Sequence, residues 1–357
     1  MARLKYHFEP KKGWINDPNG MIFFKGKYHA FFQYNPHSVQ CVNMHWGHAV
    51  SDDLINWEEL PPAIVPDNKY ETVGCWSGGA VVRDDVLYLY YTSNSKEFGQ
   101  TVSLVTSEDG MNFFKYEKNP IIETYHQEGS ADFRDPNVSL IDGKYYLVIG
   151  TGKDGTGKTL LYTSADLINW EYSSVLFEDE NLVRIVECPD FFKLGDKYVL
   201  MFSRIDKEKD GVAFIVGDFD GKKLVNYTVS IPEIGPYFYA PQSFCDDKGR
   251  RIVIAWMSRW SKKIAENETY AGALSIPREL FFKDGQICMY PVSEACHLLE
   301  DSDSLVNVSE NEVAVENKNG EELKYSAGKI SDIKILRDEN AIEVFINGGK
   351  ASFTYVD

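Results

Sequence analysis

Polar turns followed by alternating aromatic and β-branched residues recur through most of the chain. Such a combination of turn and strand predicts a β-hairpin. Five copies begin at Lys25, Arg83, Asp142, Leu194 and Asp247, and repeats at a period of roughly 50 residues are typical of propeller blades or arrays. No segment sustains a helical period, so we expect helix to be a minor component.

A second motif follows three of the hairpins. Residues 51–57 (SDDLINW) and 164–170 (SADLINW) share one pattern, and residues 107–113 are a looser copy. We expect this motif to form the turn between the outer strands of a blade. The repeats together predict an all-β fold, a five-bladed β-propeller covering residues 1–295.

The last part of the chain, from about residue 296, is more acidic and less aromatic. Alternating residues predict short strands at 312–316, 323–326, 341–347 and 351–355, with a hairpin turn after Asn347. We therefore expect a small, shortened sandwich-like β domain at 296–357. A domain of this size is marginal on its own, so it should pack on the propeller or on a second copy.

One strand before each hairpin turn lies a segment with chemically useful side chains. These segments are Asn16-Asp17, Trp76-Ser77-Gly78, Arg134-Asp135-Pro136, Glu187-Cys188-Pro189-Asp190 and Tyr239-Ala240-Pro241-Gln242. Equivalent positions on the innermost strands of a propeller converge at one end of its channel. The repeat register therefore predicts that Asp17, Asp135 and Glu187 share one pocket. Taken alone, Pro18-Asn19-Gly20 is a turn signal that we expect to end its inner strand.

Composition limits the classes of partner. The 357 residues carry a net charge of −17, which disfavours nucleic acid and anionic membranes as partners. Six cysteines are scattered without a CxxC motif and are expected to be free thiols in a reducing compartment. No apolar stretch resembles a signal peptide or a membrane span. If the first residue is the native start, we expect a cytoplasmic protein.

Three carboxylates in one pocket could bind a metal ion, line a solvated rim, or cleave a glycoside. His45 and His48 are the only close histidine pair, and we expect them to be structural. Glycoside cleavage needs one carboxylate that attacks or organises water and one protonated carboxyl that assists the leaving group.

The neighbours of two carboxylates suggest different protonation states. We expect Arg134 to hold Asp135 ionised. Glu187 lies between Val186 and Cys188, and we expect less polar surroundings to raise its pKa, as an acid/base requires.

Three motifs resemble the signatures of glycoside hydrolase family 32, which comprises invertases, inulinases, levanases and related fructosidases. They are WINDPNG at residues 14–20, FRDP at 133–136 and ECPD at 187–190. Further similar motifs occur in the same order along nearly the whole chain: QYNP at 33–36, MHWGHA at 44–49, WSG at 76–78, YAPQ at 239–242 and LSIPREL at 274–280.

The resemblance implies a propeller followed by a β-sandwich, and retaining hydrolysis of β-fructofuranosides without cofactor or metal. It assigns Asp17 as the nucleophile, Glu187 as the general acid/base and Asp135 as the transition-state stabiliser. Together with the aromatic and amide side chains near the motifs, it gives these candidate substrate-binding residues: Asn16, Gln33, Trp76, Ser77, Arg134, Tyr239 and Trp260.

Three positions depart from the family pattern. Cys41 and Val186 stand where the family usually has tryptophan, and Tyr237 replaces the aspartate of a DFYAPQ motif. We expect all three on the leaving-group side of the pocket. This suggests a leaving group other than the glucose of sucrose, such as fructose in a short oligosaccharide or a disaccharide, released from a chain end.

Three alternatives stay open. A sucrose or sucrose-6-phosphate hydrolase would need basic residues at the rim, for which Arg259, Lys262 and Lys263 are candidates. A non-catalytic sugar-binding propeller would tolerate the unusual positions, and another five-bladed carbohydrase of the arabinanase type would share the acidic triad. In each case the expected partner is a small carbohydrate, and the protein is a monomer or a homodimer.

Overall fold

The structure is a computed structural model that describes residues 3–205, 211–261, 264, 268–316, 322–326 and 328–356. Its regular structure is almost entirely β, with two short 3-10 helices at Lys69–Glu71 and Ser293–Leu298. The prediction that helix is minor is confirmed. Within these ranges, no helix has the length and apolar character needed to cross a membrane.

Five four-stranded antiparallel sheets follow one another along the chain. Blade 1 contains β1 (Gly13–Phe24), β2 (Lys27–Asn35), β3 (His45–Ser51) and β4 (Trp57–Ile64). Blade 2 contains β5 (Gly74–Arg83), β6 (Val86–Ser95), β7 (Gly99–Ser107) and β8 (Phe114–Lys115). Blade 3 contains β9 (Phe133–Ile141), β10 (Lys144–Lys153), β11 (Thr156–Ser164) and β12 (Glu171–Asp179).

The last two blades complete the series. Blade 4 contains β13 (Ile185–Leu194), β14 (Lys197–Ile205), β15 (Gly211–Phe219) and β16 (Leu224–Ser230), and a two-residue strand, β17 (Glu233–Ile234), follows it. Blade 5 contains β18 (Tyr239–Cys245), β19 (Arg251–Trp256), β21 (Arg278–Lys283) and β22 (Gln286–Pro291). The short β20 (Tyr270–Ala271) lies between β19 and β21 in the chain but joins the sheet of blade 1.

The inner strands β1, β5, β9, β13 and β18 contact one another in sequence, and β18 contacts β1 to close the ring. Strand β20 strengthens this closure because it pairs in parallel with β1, Gly13 opposite Tyr270. Five sheets arranged in this way form a five-bladed β-propeller, so the predicted fold is confirmed.

The SxDLINW motifs form the predicted turns between third and fourth strands. In blade 1, Asp53 Oδ1 accepts hydrogen bonds from the backbone N–H groups of Ile55 at 3.0 Å and Asn56 at 2.7 Å. Leu54 adopts a φ of +68° at the sharpest point. Asp166 makes the same contacts in blade 3 and Asp109 in blade 2, because a short carboxylate can cap its own turn.

The segment after β22 forms two further sheets that pack against the propeller. One contains β23 (Val306–Val308), β24 (Val313–Glu316) and β25 (Glu322–Tyr325), and the other contains β26 (Ile333–Asp338), β27 (Ala341–Ile346) and β28 (Ala351–Val356). The predicted strands correspond to β24, β25, β27 and β28. Strands β23 and β26 were not predicted, and β23 is too short to show alternation.

Strand β17, which lies between blades 4 and 5 in the chain, joins the second of these sheets by pairing in parallel with β28. The C-terminal sheets therefore pack on the propeller, and the predicted domain boundary at residue 296 stays a prediction.

A buried ionic cluster joins the propeller to these sheets. Arg278 pairs with Glu233 at 2.7 Å and Glu343 at 2.8 Å, and its side chain is fully buried. His7 contacts Asp338 at 2.8 Å and Glu343 at 3.1 Å through its two ring nitrogens. Burial lowers the pKa of His7, but the hydrogen bonds to both carboxylates outweigh it and raise the pKa to about 9. The cluster holds paired charges where the two parts of the chain meet.

Candidate active site

Every inner strand bulges at the same end of the channel. The pairing with the second strand skips between Ile15 and Pro18, and equivalent skips occur in the other four blades. The bulged residues are Asp17, Ser77, Asp135, Cys188 and Ala240. A proline follows four of them, and proline suits a bulge because it has no N–H to donate to the ladder. Bulges redirect side chains, so in each blade the bulge changes the direction of the side chains at this end of the channel.

The WINDPNG segment is therefore a bulged part of a strand, and the prediction that Pro18-Asn19-Gly20 ends the strand is wrong. Strand β1 continues to Phe24 with a second register shift between Asn19 and Ile22. Gly20 has a φ of +51° within this irregular stretch, so the residues that signal a turn produce a local kink instead.

The bulges open into a cavity of about 730 Å³. Asp17, Asp135 and Glu187 all line it, as the repeat register predicts. The other sequence candidates that line it are Asn16, Gln33, Cys41, Trp76, Ser77, Arg134 and Trp260.

Asp17 is 9% exposed and is held through one of its oxygens. Ser77 Oγ donates a hydrogen bond of 2.6 Å to Asp17 Oδ2, while Oδ1 has no partner among the described residues. Burial raises the pKa of Asp17, and the Ser77 hydrogen bond opposes that shift. The orientation of the carboxylate is thus fixed, but only one of its two oxygens accepts a hydrogen bond from the described residues.

Asp135 sits in a strained backbone conformation, with φ of +62°. Its Oδ2 accepts a hydrogen bond of 2.8 Å from the backbone N–H of Cys188, and its own N–H donates to Thr92 Oγ1 at 2.8 Å. Burial raises the pKa of Asp135 to about 7, although the Arg134 charge opposes the shift. The expectation that Arg134 holds Asp135 ionised is therefore wrong, because burial outweighs the charge.

This raised pKa gives a prediction about stability. The pKa of the Asp135 carboxyl is 3.8 in an unfolded chain and about 7 in the folded protein. Protonation of Asp135 therefore favours the folded state. Its contribution to the free energy of unfolding is fully present below pH 3.8 and is lost as the pH rises through 7. Above that range the ionised group opposes folding, by up to about 4 kcal/mol. We expect Asp135→Asn to raise Tm at pH 8 and to leave it nearly unchanged at pH 3.5, as measured by calorimetry. An equal shift at both pH values would contradict the raised pKa.

Glu187 has polar and charged neighbours on both oxygens. Arg134 donates to Oε1 from Nε at 3.1 Å and from Nη2 at 2.9 Å, and the Tyr239 hydroxyl lies 2.5 Å from Oε2. The expectation of less polar surroundings is wrong, because Arg134 and Tyr239 contact both carboxylate oxygens of Glu187. The remaining Arg134 nitrogen, Nη1, pairs with Asp132 at 2.8 Å.

Cys41 lies at the mouth of the cavity, on an exposed loop. Its Sγ is 3.8 Å from Asn16 Oδ1, which also accepts a hydrogen bond of 2.7 Å from Trp14 Nε1. Although the residue is exposed, its thiol is partly buried against Asn16, and this burial together with the charges of Asp17 and Glu187 raises the pKa of the thiol to about 12. Cys41 therefore acts as a small neutral group beside the pocket.

Val186 and Tyr237 do not line the cavity, so their predicted place on the leaving-group side is wrong. Val186 is fully buried in the hydrophobic core between blades 3 and 4, because it alternates with Glu187 along β13 and faces away. Tyr237 packs edge-on against Tyr355 at 5.0 Å, at the contact with the C-terminal sheets.

His45 and His48 also lie outside the cavity lining. His48 stacks on Phe31 at 4.5 Å and burial lowers its pKa to about 3, so it is a neutral core residue as predicted.

Trp260 lines the cavity and belongs to a tryptophan cluster. Trp260 is 46% exposed, stacks on Trp14 at 6.3 Å and contacts Trp256 at 4.9 Å. Of the predicted basic rim residues, Arg259 lies over the Tyr237 ring at 4.9 Å and away from the cavity. Lys262 and Lys263 lie outside the described residues.

Sequence reasoning missed several residues of the site. Cys188 contacts both Asp17 Oδ2 at 3.7 Å and Asp135 Oδ2 at 3.6 Å, and its place after Glu187 in the repeat could have indicated this. Lys96, Gln100 and Asp132 also line the cavity. They lie in or next to loops whose positions are not equivalent between repeats. The repeat pattern therefore could not predict that they line the cavity.

The side chain of Gln242 bridges two inner strands. Its Oε1 accepts a hydrogen bond of 3.0 Å from the Met21 N–H, and its Nε2 donates to the Gly78 carbonyl at 2.8 Å. From β18, this side chain therefore links β1 and β5. Within the described ranges, no group of three or more His, Cys, Asp or Glu side chains is arranged as a metal-ligand set.

Comparisons with known proteins point to one family. The model described as "Glycosyl hydrolases family 32 N-terminal domain" matches residues 7–291. A raffinose invertase of Escherichia coli is 38% identical over 310 residues, covering 81% of this chain and 64% of the relative. A sucrose-6-phosphate hydrolase of Escherichia coli is 38% identical over 321 residues, covering 84% of this chain and 66% of the relative. The chain thus spans slightly less than two thirds of these relatives.

The fold also matches a solved structure. A family 32 β-fructofuranosidase of Bombyx mori superposes with a TM-score of 0.89 at 30% identity, covering 99% of this chain and 88% of that chain.

Proposed function

The chain belongs to glycoside hydrolase family 32, and we propose that it is a retaining exo-β-fructosidase that releases terminal β-D-fructofuranosyl residues from small fructosides. The observation that best supports this proposal is the convergence of Asp17, Asp135 and Glu187 in one cavity. A pocket at one end of a propeller channel suits the end of a sugar chain better than its interior. The chemistry needs no group beyond the carboxyls themselves.

Asp17 is the proposed nucleophile. Ser77 fixes one oxygen of its carboxylate, and the absence of a partner at the other oxygen within the described residues leaves the group incompletely stabilised in the free protein. Attack on the anomeric carbon of the fructosyl group forms a covalent intermediate and releases the leaving group. Water then hydrolyses that intermediate.

Glu187 is the proposed general acid and base. Both Arg134 hydrogen bonds go to Oε1, so the proton that is passed to the leaving group is best carried on Oε2, beside the Tyr239 hydroxyl. After the leaving group departs, the same oxygen accepts a proton from the attacking water. Tyr239 is thereby a positioning residue for the transferred proton.

Asp135 is the proposed stabiliser of the transition state, through hydrogen bonds to fructosyl hydroxyl groups. The backbone N–H of Cys188 fixes the orientation of its Oδ2. Asn16, Gln33 and Trp76 are proposed to complete the fructosyl subsite, since amide and aromatic groups suit hydroxyl recognition and stacking.

Two classes of leaving group are proposed. One is a second fructose unit in a short fructooligosaccharide or disaccharide. Cys41 supports this leaving group, because it is a small residue at the mouth of the cavity. Val186 and Tyr237 give no support, because they do not line the cavity. The other is the glucose or glucose 6-phosphate of sucrose or its phosphate ester. The names of the raffinose invertase and sucrose-6-phosphate hydrolase relatives support it.

The proposed location is the cytoplasm. All six cysteines fall within the described residues and none is paired with another, which is compatible with a reducing compartment.

A substrate panel tests the proposed function. We expect fructose release from sucrose, sucrose 6-phosphate, inulobiose or kestose, and much slower release from polymeric inulin and levan. The ratios of kcat/KM within the panel identify the leaving group. Proton NMR of the first product should show β-fructose, because two displacements retain configuration. Inversion would indicate a different mechanism, and no release from any fructoside would favour a sugar-binding propeller.

A further inference from the structure

Lys96 is the one lining residue of the described cavity that carries a free positive charge. It lies directly after β6, in the turn to β7, and is exposed. Among the described residues, no hydrogen bond or ion pair engages its ammonium group. The other lining cation, Arg134, is committed to Glu187 and Asp132. Lys96 is therefore available to a ligand, whereas Arg134 is not.

The remaining charges of the cavity decide where an anionic ligand group can lie. Asp17, Asp135 and Glu187 surround the inner part of the cavity, and carboxylates repel a phosphate at short range. A fructosyl ring that meets these three groups directs its leaving group outward. A phosphate on that leaving group consequently has to face the mouth, where Lys96 is located.

We propose that Lys96 recognises a phosphate carried by the leaving-group sugar and so favours phosphorylated fructosides over neutral ones. This inference rests on the proposed function and deepens it. The lysine ammonium suits the task because it is a compact point charge with three donors on a flexible stem. It can follow a phosphate whose position varies as the leaving group departs.

Binding measurements in the Asp17→Asn variant separate recognition from turnover. We measure Kd by calorimetry for sucrose and for sucrose 6-phosphate, at low and high ionic strength. We expect Lys96→Gln to lower the preference for the phosphorylated ligand about fivefold, because an exposed ion pair contributes about 1 kcal/mol. Lys96→Arg should keep most of the preference. Added salt should weaken it, since exposed charges are screened.

Lys69 provides the matched control. Its Nζ lies 5.4 Å from the ring of Phe98, which shares the turn with Lys96, but Lys69 does not line the cavity. Lys69→Gln removes the same charge nearby and should leave the preference unchanged.

An unchanged preference in Lys96→Gln would overturn the inference, as would an equal loss in Lys69→Gln or the failure of sucrose 6-phosphate to bind. The proposed function fails on a different result, which is the absence of fructose release from any fructoside by the otherwise unaltered protein. The two failures are therefore distinguishable.

Discussion

Replacing Asp17 by alanine is expected to lower kcat for fructoside hydrolysis on the order of 10⁵-fold, as removal of a catalytic nucleophile does in other enzymes. The proposed covalent intermediate cannot form without this carboxylate. The same substitution removes a buried charge whose pKa burial raises, so the folded protein should not lose stability. Fructose release and Tm are measured on the same preparation at neutral pH.

Ser77→Ala is the matched comparison for Asp17→Ala. It removes the hydrogen bond of 2.6 Å to Asp17 Oδ2 but leaves the carboxylate in place. We expect kcat to fall only about tenfold, corresponding to the loss of one hydrogen bond to a charged group. If Asp17→Ala kept a rate within tenfold of the unaltered protein, the nucleophile would have to be another group.

Arg278→Met is expected to have the largest effect on stability. Arg278 is fully buried between Glu233 and Glu343, and methionine leaves both carboxylates without a counter-charge. Breaking a buried ion pair from one side costs about 3–5 kcal/mol. The free energy of unfolding is measured by urea denaturation with a probe in each part of the chain. We expect the C-terminal sheets to separate from the propeller at lower urea concentration.

Two comparisons make the Arg278 result interpretable. Arg83 is partly exposed and pairs with Asp84 at 3.2 Å on the surface, so Arg83→Met should change stability by less than about 0.5 kcal/mol. The triple variant Arg278→Met, Glu233→Gln, Glu343→Gln removes all three charges and should recover part of the loss. A loss below about 1 kcal/mol in Arg278→Met would show that the cluster is not important for domain contact.

The blades could be predicted from sequence because each repeat carries its own local signals. A hairpin turn and a capped SxDLINW turn are encoded by neighbouring residues, so their spacing alone indicates five blades. Convergence of Asp17, Asp135 and Glu187 followed from the same register. These features depend on short-range chemistry, which a single sequence displays directly.

The partners of each side chain could not be predicted in the same way. Val186 precedes Glu187, yet the two face opposite sides of β13, and Tyr237 is covered by sheets that are distant in sequence. Arg134 adjoins Asp135 in the chain but donates its hydrogen bonds to Glu187, on the next blade. Sequence adjacency indicated the wrong partner in each case because bulges and packing decide direction.

The pairing of β20 with β1 has a consequence for how the protein is made. Asp17 lies near the start of the chain, but β1 gains its parallel partner Tyr270–Ala271 and its neighbour β18 only after most of the chain has been synthesised. Contacts between such distant segments form slowly. The pocket is therefore completed late in folding, and a nascent chain that ends before blade 5 would contain all three carboxylates without being able to hold them in place.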